Sequence, residues 1–181
     1  DARSFGVPQR RQRVLMVASR HNDPRDVLFA DNREPRFQDD GIQTPVGNDA
    51  FGFYWTEGLR GLGWVRNAVP TVKGGSRIGI PSPPAIWIPS KNFFGTPTIG
   101  DTERLQGFVR NHTKFEPFTG YRDSHRWHLV GNAVCVPMSK WLGSRLVTPK
   151  PMRKNLVVEK LETGEPWPTA CFGNGSERFR V

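Results

Sequence analysis

The stretch FGVPQRRQRVLMVAS, residues 5–19, carries the reading of the whole chain. Gly6 and Pro8 mark a turn, and the residues after it run into the apolar segment Val14-Leu15-Met16-Val17, which has strand composition. Gln9, Arg11 and Arg13 lie two apart, so an extended chain places them on one face. Two guanidiniums and an amide on one face, anchored by that strand, form a ridge suited to an anion or to the edge of a base. There is no methionine start and no lead-in, so the stretch is expected to be interior to a larger unit.

The 181 residues carry a net charge of +9, with a sequence pI near 10.3 and a mean hydropathy of −0.55. That balance suits a polyanion, most simply nucleic acid. No apolar run is long enough to span a bilayer. Cys135 and Cys171 fit neither a zinc pattern nor a disulfide framework. Cys135 is expected to be a small buried hydrophobe. His125 and His128 can share a helix face, but no thiol or carboxylate cluster accompanies them, so no metal site is expected.

Outward from the opening stretch, residues 20–50 are charged and turn-rich and read as a connector with little core. Residues 51–97 interleave Phe51, Phe53, Tyr54, Trp55, Trp64, Trp87, Phe93 and Phe94 with Gly and Pro, which predicts short strands and irregular loops. Thr98 and Asp101 have capping-box spacing, with Asp in the usual Glu position. Ile99, Leu105 and Phe108 anchor the short helix that follows, and Gly107 stops it. Residues 111–127 read as a basic and aromatic loop. Residues 131–146, GNAVCVPMSKWLGSRL, read as one amphipathic helix. Val134, Met138, Trp141, Leu142 and Leu146 form its apolar stripe, with Lys140, Ser144 and Arg145 off it. Residues 147–156 read as a basic linker. Asn174-Gly175 predicts a two-residue hairpin turn near the end of the chain.

Three of these segments resemble the DNA (cytosine-5) methyltransferases. FGVPQRRQRVLMVAS is similar to their Gln-x-Arg-x-Arg motif VIII. RLQGF, residues 104–108, resembles motif IX, and GNAVCVP, residues 131–137, preceded by Arg126-Trp127, resembles motif X. The order matches, and the resemblance covers about residues 5–146.

The resemblance implies an α/β fold: the edge portion of a doubly wound S-adenosylmethionine-dependent methyltransferase domain, with a small β-rich target recognition domain. Residues 1–20 and 126–146 would belong to the catalytic domain. Residues 21–125 would hold the recognition domain and motif IX, and residues 147–181 a basic linker and a C-terminal hairpin. Thr71-Val72 resembles the Thr-Leu or Thr-Ile pair of such domains, and Lys73-Gly74-Gly75-Ser76-Arg77 follows directly. Thr71, Lys73, Ser76 and Arg77 are thus the expected contacts to double-stranded DNA.

By the same resemblance Arg13 would stabilise charge on the base, Arg11 would hold the catalytic region or a phosphate, and Gln9 would brace the turn. Asn132 and Ala133 would line the cofactor pocket, with Val134 packed beneath. The family's Pro-Cys nucleophile and Glu-Asn-Val motif occur nowhere in the sequence, and Phe172-Gly173-Asn174-Gly175, which superficially resembles the Phe-x-Gly-x-Gly cofactor loop, lies after motif X, at the wrong end. The chain alone is therefore expected to be inactive. It would need an N-terminal methyltransferase half or subunit that brings Pro-Cys and Glu-Asn-Val, with this chain being a split subunit or a piece of a longer polypeptide. A cytoplasmic, nucleoid-associated modification enzyme of a prokaryote or phage is implied. The alternatives are a non-catalytic subunit that targets or stimulates a complete methyltransferase, and a basic nucleic-acid-binding protein with aromatic platforms. In isolation, an unpaired strand over residues 12–19 and an uncovered motif X stripe are expected to make the chain poorly soluble.

Overall fold

The computed structural model describes residues 1–33, 45, 47–55, 62–75, 82–115 and 121–181. Strands and helices are both present. In chain order they are β1 (Gln9–Arg10), α1 (Arg25–Leu28), β2 (Phe51–Phe53), β3 (Val65–Arg66), β4 (Val69–Pro70), β5 (Ala85–Ile88) and β6 (Phe93–Gly95). There follow α2 (Ile99–Leu105), α3 (Asp123–Asn132), α4 (Val136–Val147), β7 (Glu159–Lys160), β8 (Cys171–Gly173) and β9 (Arg178–Arg180). The chain forms two compact units: Asp1–Leu15 with Arg33–Trp141, and Met16–Asn32 with Leu142–Val181. These boundaries differ from the expected division at residues 20, 126 and 146.

In the first unit, β1 pairs in parallel with β4, Gln9 opposite Val69 and Arg10 opposite Pro70. The strand expected over residues 12–19 is corrected: pairing involves Gln9 and Arg10, and residues 11–19 carry no strand pairing. Leu15 packs against the cluster of Ala2, Val7, Cys135 and Met138, whereas Val14 and Met16 are 95% and 89% exposed. Side chains alternate as in an extended chain, so one apolar set points outward.

A four-stranded antiparallel sheet, β3-β2-β5-β6, fills the region expected to hold short strands. Phe51 lies opposite Trp87, and Trp87 opposite Phe94, so three aromatic rings line one face. Their centroids are 5.5 Å and 5.6 Å apart, and Trp64 stacks on Phe51 at 5.1 Å. Such pairs add about 0.5–1.5 kcal/mol each beyond area burial. The opposite face, carrying Gly52 and Ile86, meets β4: a Cβ on Gly52 would clash with the backbone of Ala68 and Val69, and Ile86 packs on Val69, Val72 and Val130.

The Thr98–Asp101 capping box is present. Asp101 N–H donates to Thr98 Oγ1 at 3.2 Å, and Thr98 N–H to Asp101 Oδ2 at 3.2 Å. Gly107 follows the helix with φ +85°, and a Cβ there would lie 2.6 Å from Pro137 Cδ. Position 107 therefore needs glycine both for its left-handed backbone and for space.

The single helix expected over residues 131–146 is corrected to two, broken at residues 133–135, with Pro137 in the first turn of α4 as a proline requires. Much of α3 lies where a loop was expected. Its buried face includes Arg126 as well as Trp127 and Val130, so apolar periodicity is weak. Val134 lies in the break, 44% exposed, and Leu146 is 54% exposed, while Met138 is buried and Arg145, placed off the stripe, is buried too.

In the second unit, β7-β9-β8 form a three-stranded antiparallel sheet. The expected hairpin is there, but Gly173 opposes Arg178, so four residues close it instead of two. Asn174 Oδ1 accepts from the N–H groups of Ser176 and Glu177, which stabilises the wider loop. Phe172 stacks on Phe179 at 5.1 Å, and Phe29 lies 6.3 Å from Phe172. The connector and the linker are also corrected in part. Val27 of α1 is buried, Asp31 pairs with buried Arg145, and residues 150–153 are tied to residues 26–29. Lys150 N–H donates to Asp26 O at 3.1 Å, Arg153 N–H to Phe29 O at 3.2 Å, and Met152 N–H to Asp26 Oδ1 at 3.0 Å.

Candidate functional site

The short β1–β4 ladder decides which way the Gln-Arg-Arg-Gln-Arg side chains point. Gln9 and Arg11 turn inward, with 0% and 1% exposure, so the exposed ridge of three groups is corrected: Arg13 alone of the three stays exposed. Arg11 Nη1 donates to Val72 O at 2.9 Å. Its Nη2 donates to Gly131 O at 2.9 Å and Ala133 O at 2.8 Å. Its Nε is buried without a partner. Burial, followed by the nearby charge of Arg13, lowers the Arg11 pKa from its ordinary value, yet a guanidinium remains charged in proteins. Arg11 is therefore a clamp on backbone carbonyls, and a direct phosphate contact by it is corrected by its burial.

Arg10, which the sequence reading passed over, points the other way and donates to Trp64 O at 3.3 Å and Gly63 O at 3.1 Å. The period-two alternation that picked out Arg11 also assigns Arg10 to the opposite face. Arg13 Nη1 donates to the neighbouring Gln12 O at 2.7 Å, an exposed local contact that leaves the guanidinium within reach of solvent.

Thr71 and Lys73 lie on the segment Arg11 holds. Thr71 Oγ1 donates to Arg10 O at 2.8 Å, and Tyr54 Oη donates to Thr71 O at 2.7 Å. Lys73 Nζ sits 4.3 Å from the centre of the Tyr54 ring, a cation–π contact. Ser76 and Arg77 lie outside the described residues. The segment passes close over α3: a Cβ on Gly131 would overlap the backbone of Lys73 and Gly74. Backbone cannot yield as a side-chain end can, so Gly131→Ala is expected to destabilise the protein by about 3 kcal/mol. The urea midpoint reads this out; an unshifted midpoint would contradict the close packing.

Asn132 ends α3, and Ala133 N–H caps it by donating to Leu129 O at 3.1 Å. Asn132 and Ala133 border an open hollow of about 590 Å³ with Tyr121, His125, His128 and Leu129. Neither Val134 nor Arg13 borders it. Val134 is half-exposed, so its expected place beneath the pocket is corrected. Cys135 is 1% exposed, and burial raises its thiol pKa against the opposing effects of the Met138 backbone hydrogen bond and the charge of Arg11. It is a buried thiol, without nucleophile character. Among the described residues there is no cluster of three or more His, Cys, Asp or Glu able to hold a metal, and no helix is long and apolar enough to cross a membrane.

The RLQGF segment supplies the frame. Gln106, 0% exposed, donates from Nε2 to Val130 O at 2.8 Å, and its backbone carbonyl accepts from Val136 N–H at 2.9 Å. Glu103, just before the segment, was missed by the sequence reading. It is fully buried, accepts from Thr113 N–H at 2.8 Å and Oγ1 at 2.5 Å and from the N–H of Asn111, and pairs with Arg126 at 3.3 Å. Arg126 was read only as part of the motif; its spacing from a helix carboxylate carries no sequence signal.

Burial opposes the charged form of Glu103, but the bonds from Thr113, Asn111 and Arg126 outweigh it and hold the carboxyl below its usual range. A depressed carboxylate stabilises the fold above its unfolded pKa, about 4.3, and that contribution is lost as pH falls through the folded value. The thermal midpoint should therefore drop below about pH 4.3, and Glu103→Gln should flatten that part of the profile. An equally steep acid limb in Glu103→Gln would contradict the assignment.

Across 185 aligned positions the chain is 47% identical to the Type II methyltransferase M2.BsuMI of Bacillus subtilis (strain 168). The match takes in all of this chain and 46% of that protein, so the chain spans about half the length of the curated relative it matches. No family model matches the chain, and no solved structure gives a significant match.

Proposed function

We propose, from the premise that this chain is a relative of one part of a type II methyltransferase, that it is the DNA-reading and base-stabilising part of a DNA (cytosine-5) methyltransferase in a restriction-modification system. The observation that carries this reading is the Arg11 clamp, which binds one stretch of backbone at Val72 and another at Gly131 and Ala133. It joins the segment expected to read DNA to the turn expected to hold the cofactor, with Arg13 two residues away.

Residues 71–77 contact double-stranded DNA, with Lys73 and Arg77 as cations and Thr71 and Ser76 as hydroxyl contacts. A thiolate from a Pro-Cys segment, elsewhere in the same polypeptide or in a second subunit, attacks C6 of a flipped cytosine. Electron density moves toward N3 and O2, and Arg13 stabilises it. With the methyl group on carbon 5 and S-adenosylhomocysteine as the leaving group, loss of the C5 proton to a base would expel the cysteine from C6 as its thiolate.

S-adenosylmethionine supplies that methyl group when bound. The hollow beside Asn132 and Ala133 suits such a molecule. It has an amide for hydrogen bonding, the aromatic ring of Tyr121 and apolar Leu129. Asn132 would hold the cofactor through its amide and Ala133 would leave room beside it.

The test mixes this chain with the complementary methyltransferase segment, labelled S-adenosylmethionine and duplex DNA, followed by nucleoside analysis. 5-Methylcytosine formed by the pair, and by neither part alone, is expected. Methylated adenine, or activity that ignores the removal of this chain, would overturn the reading.

A further inference from the structure

Gln9 and Gln106 form an amide pair where three segments meet. Gln9 Oε1 accepts from Val72 N–H at 2.9 Å. Gln9 Nε2 donates to Gln106 Oε1 at 3.1 Å and to Leu105 O at 3.0 Å. Gln106 Nε2 donates to Val130 O at 2.8 Å. Both side chains are fully buried. Every bond has a fixed direction, so flipping either amide would set donor against donor and carbonyl against carbonyl. The pair is locked.

We infer that Gln106 is a positioning residue: through Gln9 it sets the spacing between residues 71–75, which read DNA, and the turn at residues 131–133, which holds the cofactor. The inference rests on the function proposed above. One end of the relay is the amide of Val72, between Thr71 and Lys73. The other is the carbonyl of Val130, next to Gly131 and two residues from Asn132. Arg11 spans the same two ends through its own bonds to Val72, Gly131 and Ala133. Arg11 supplies the attraction, whereas the short amide pair supplies the length. A Gln106 side chain that cannot bond leaves Val130 O and one Gln9 N–H unpaired in the interior, and the two segments lose their common ruler.

The test uses the complete enzyme, this chain with the segment that carries Pro-Cys, with active sites titrated so that only folded protein is counted. At saturating DNA and S-adenosylmethionine, Gln106→Leu should lower the single-turnover rate about 10- to 100-fold, since misplacement of about an ångström costs that much. The dissociation constants of DNA and of S-adenosylhomocysteine, each measured alone, should change less than about threefold. Gln106→Glu keeps the length and the acceptor for Gln9 but sets a carboxylate oxygen against Val130 O, and should lower the rate at least as much as Gln106→Leu. A wild-type rate in folded Gln106→Leu, or a loss accounted for by binding alone, would overturn the inference.

Hydrogen exchange on the unsubstituted enzyme tests it without a variant. S-adenosylhomocysteine should slow exchange at the Val72 amide, which is remote in sequence from Asn132; unchanged exchange there would also overturn it. If the unsubstituted enzyme transfers no methyl group, the functional reading itself has failed, before any variant is compared, and this inference falls with it.

Discussion

Arg13→Ala in the complemented enzyme should lower methyl transfer about 10²- to 10³-fold, the usual cost of removing one preorganised group that stabilises transition-state charge. The fold should not change. Arg13 is exposed, and its bond to Gln12 O is local, so its loss removes no buried contact. DNA affinity should stay within about twofold, as for a single solvent-exposed charge. A rate defect with intact fold and binding is the signature of a group that acts on the reacting base. If transfer survives Arg13→Ala, the chain acts instead as a targeting or stimulating subunit.

Arg11→Ala should do the reverse, striking the fold before the chemistry. Three carbonyls, those of Val72, Gly131 and Ala133, would lose their donor. Burial without a partner costs about 1–3 kcal/mol per polar group, so a loss of about 3–5 kcal/mol is expected. That is a large part of the stability of an ordinary domain. Arg11→Lys should not restore it, because an ammonium is a point charge on a flexible stem and cannot match the fork that spans two segments. Equilibrium urea unfolding, followed by the fluorescence of Trp64 and Trp87, measures this. An Arg11→Lys protein as stable as the parent would show that the fork geometry contributes nothing.

The contrast between these arginines shows what the sequence could and could not disclose. Spacing placed Gln9, Arg11 and Arg13 on one face, and Gln9 and Arg11 do turn inward together. Composition gave no hint that this face is interior, because a guanidinium is ordinarily exposed and its acceptors here are backbone carbonyls 61 to 122 residues away in sequence. The Thr98–Asp101 cap was legible because it is local: both partners lie within one helical turn. Helix α3 was not, since Arg126 occupies its buried face and finds Glu103 from another helix, which removes the apolar period. The break at residues 133–135 followed the same logic. Gly131 is needed for the close pass of Gly74, and Arg11 gathers the carbonyls at the end of α3, so tertiary contacts end the helix where pattern alone continued it. The aromatic sheet was legible as short strands, and its register was not. Among the proposed DNA contacts, Thr71 and Lys73 are held near the Arg11 clamp, whereas Ser76 and Arg77 fall outside the described residues.

The direct test of the division of labour is a covalent trap. In DNA with 5-fluorocytosine at the target, the C5 substituent cannot leave as a proton does, so the C6–S bond formed during transfer persists. With S-adenosylmethionine and both segments present, the DNA should become attached to the cysteine of the Pro-Cys segment, far more slowly with Arg13→Ala than with Arg13 intact, and not at all without this chain. Attachment to Cys135 or Cys171, or trapping that proceeds equally well with this chain left out, would contradict the account.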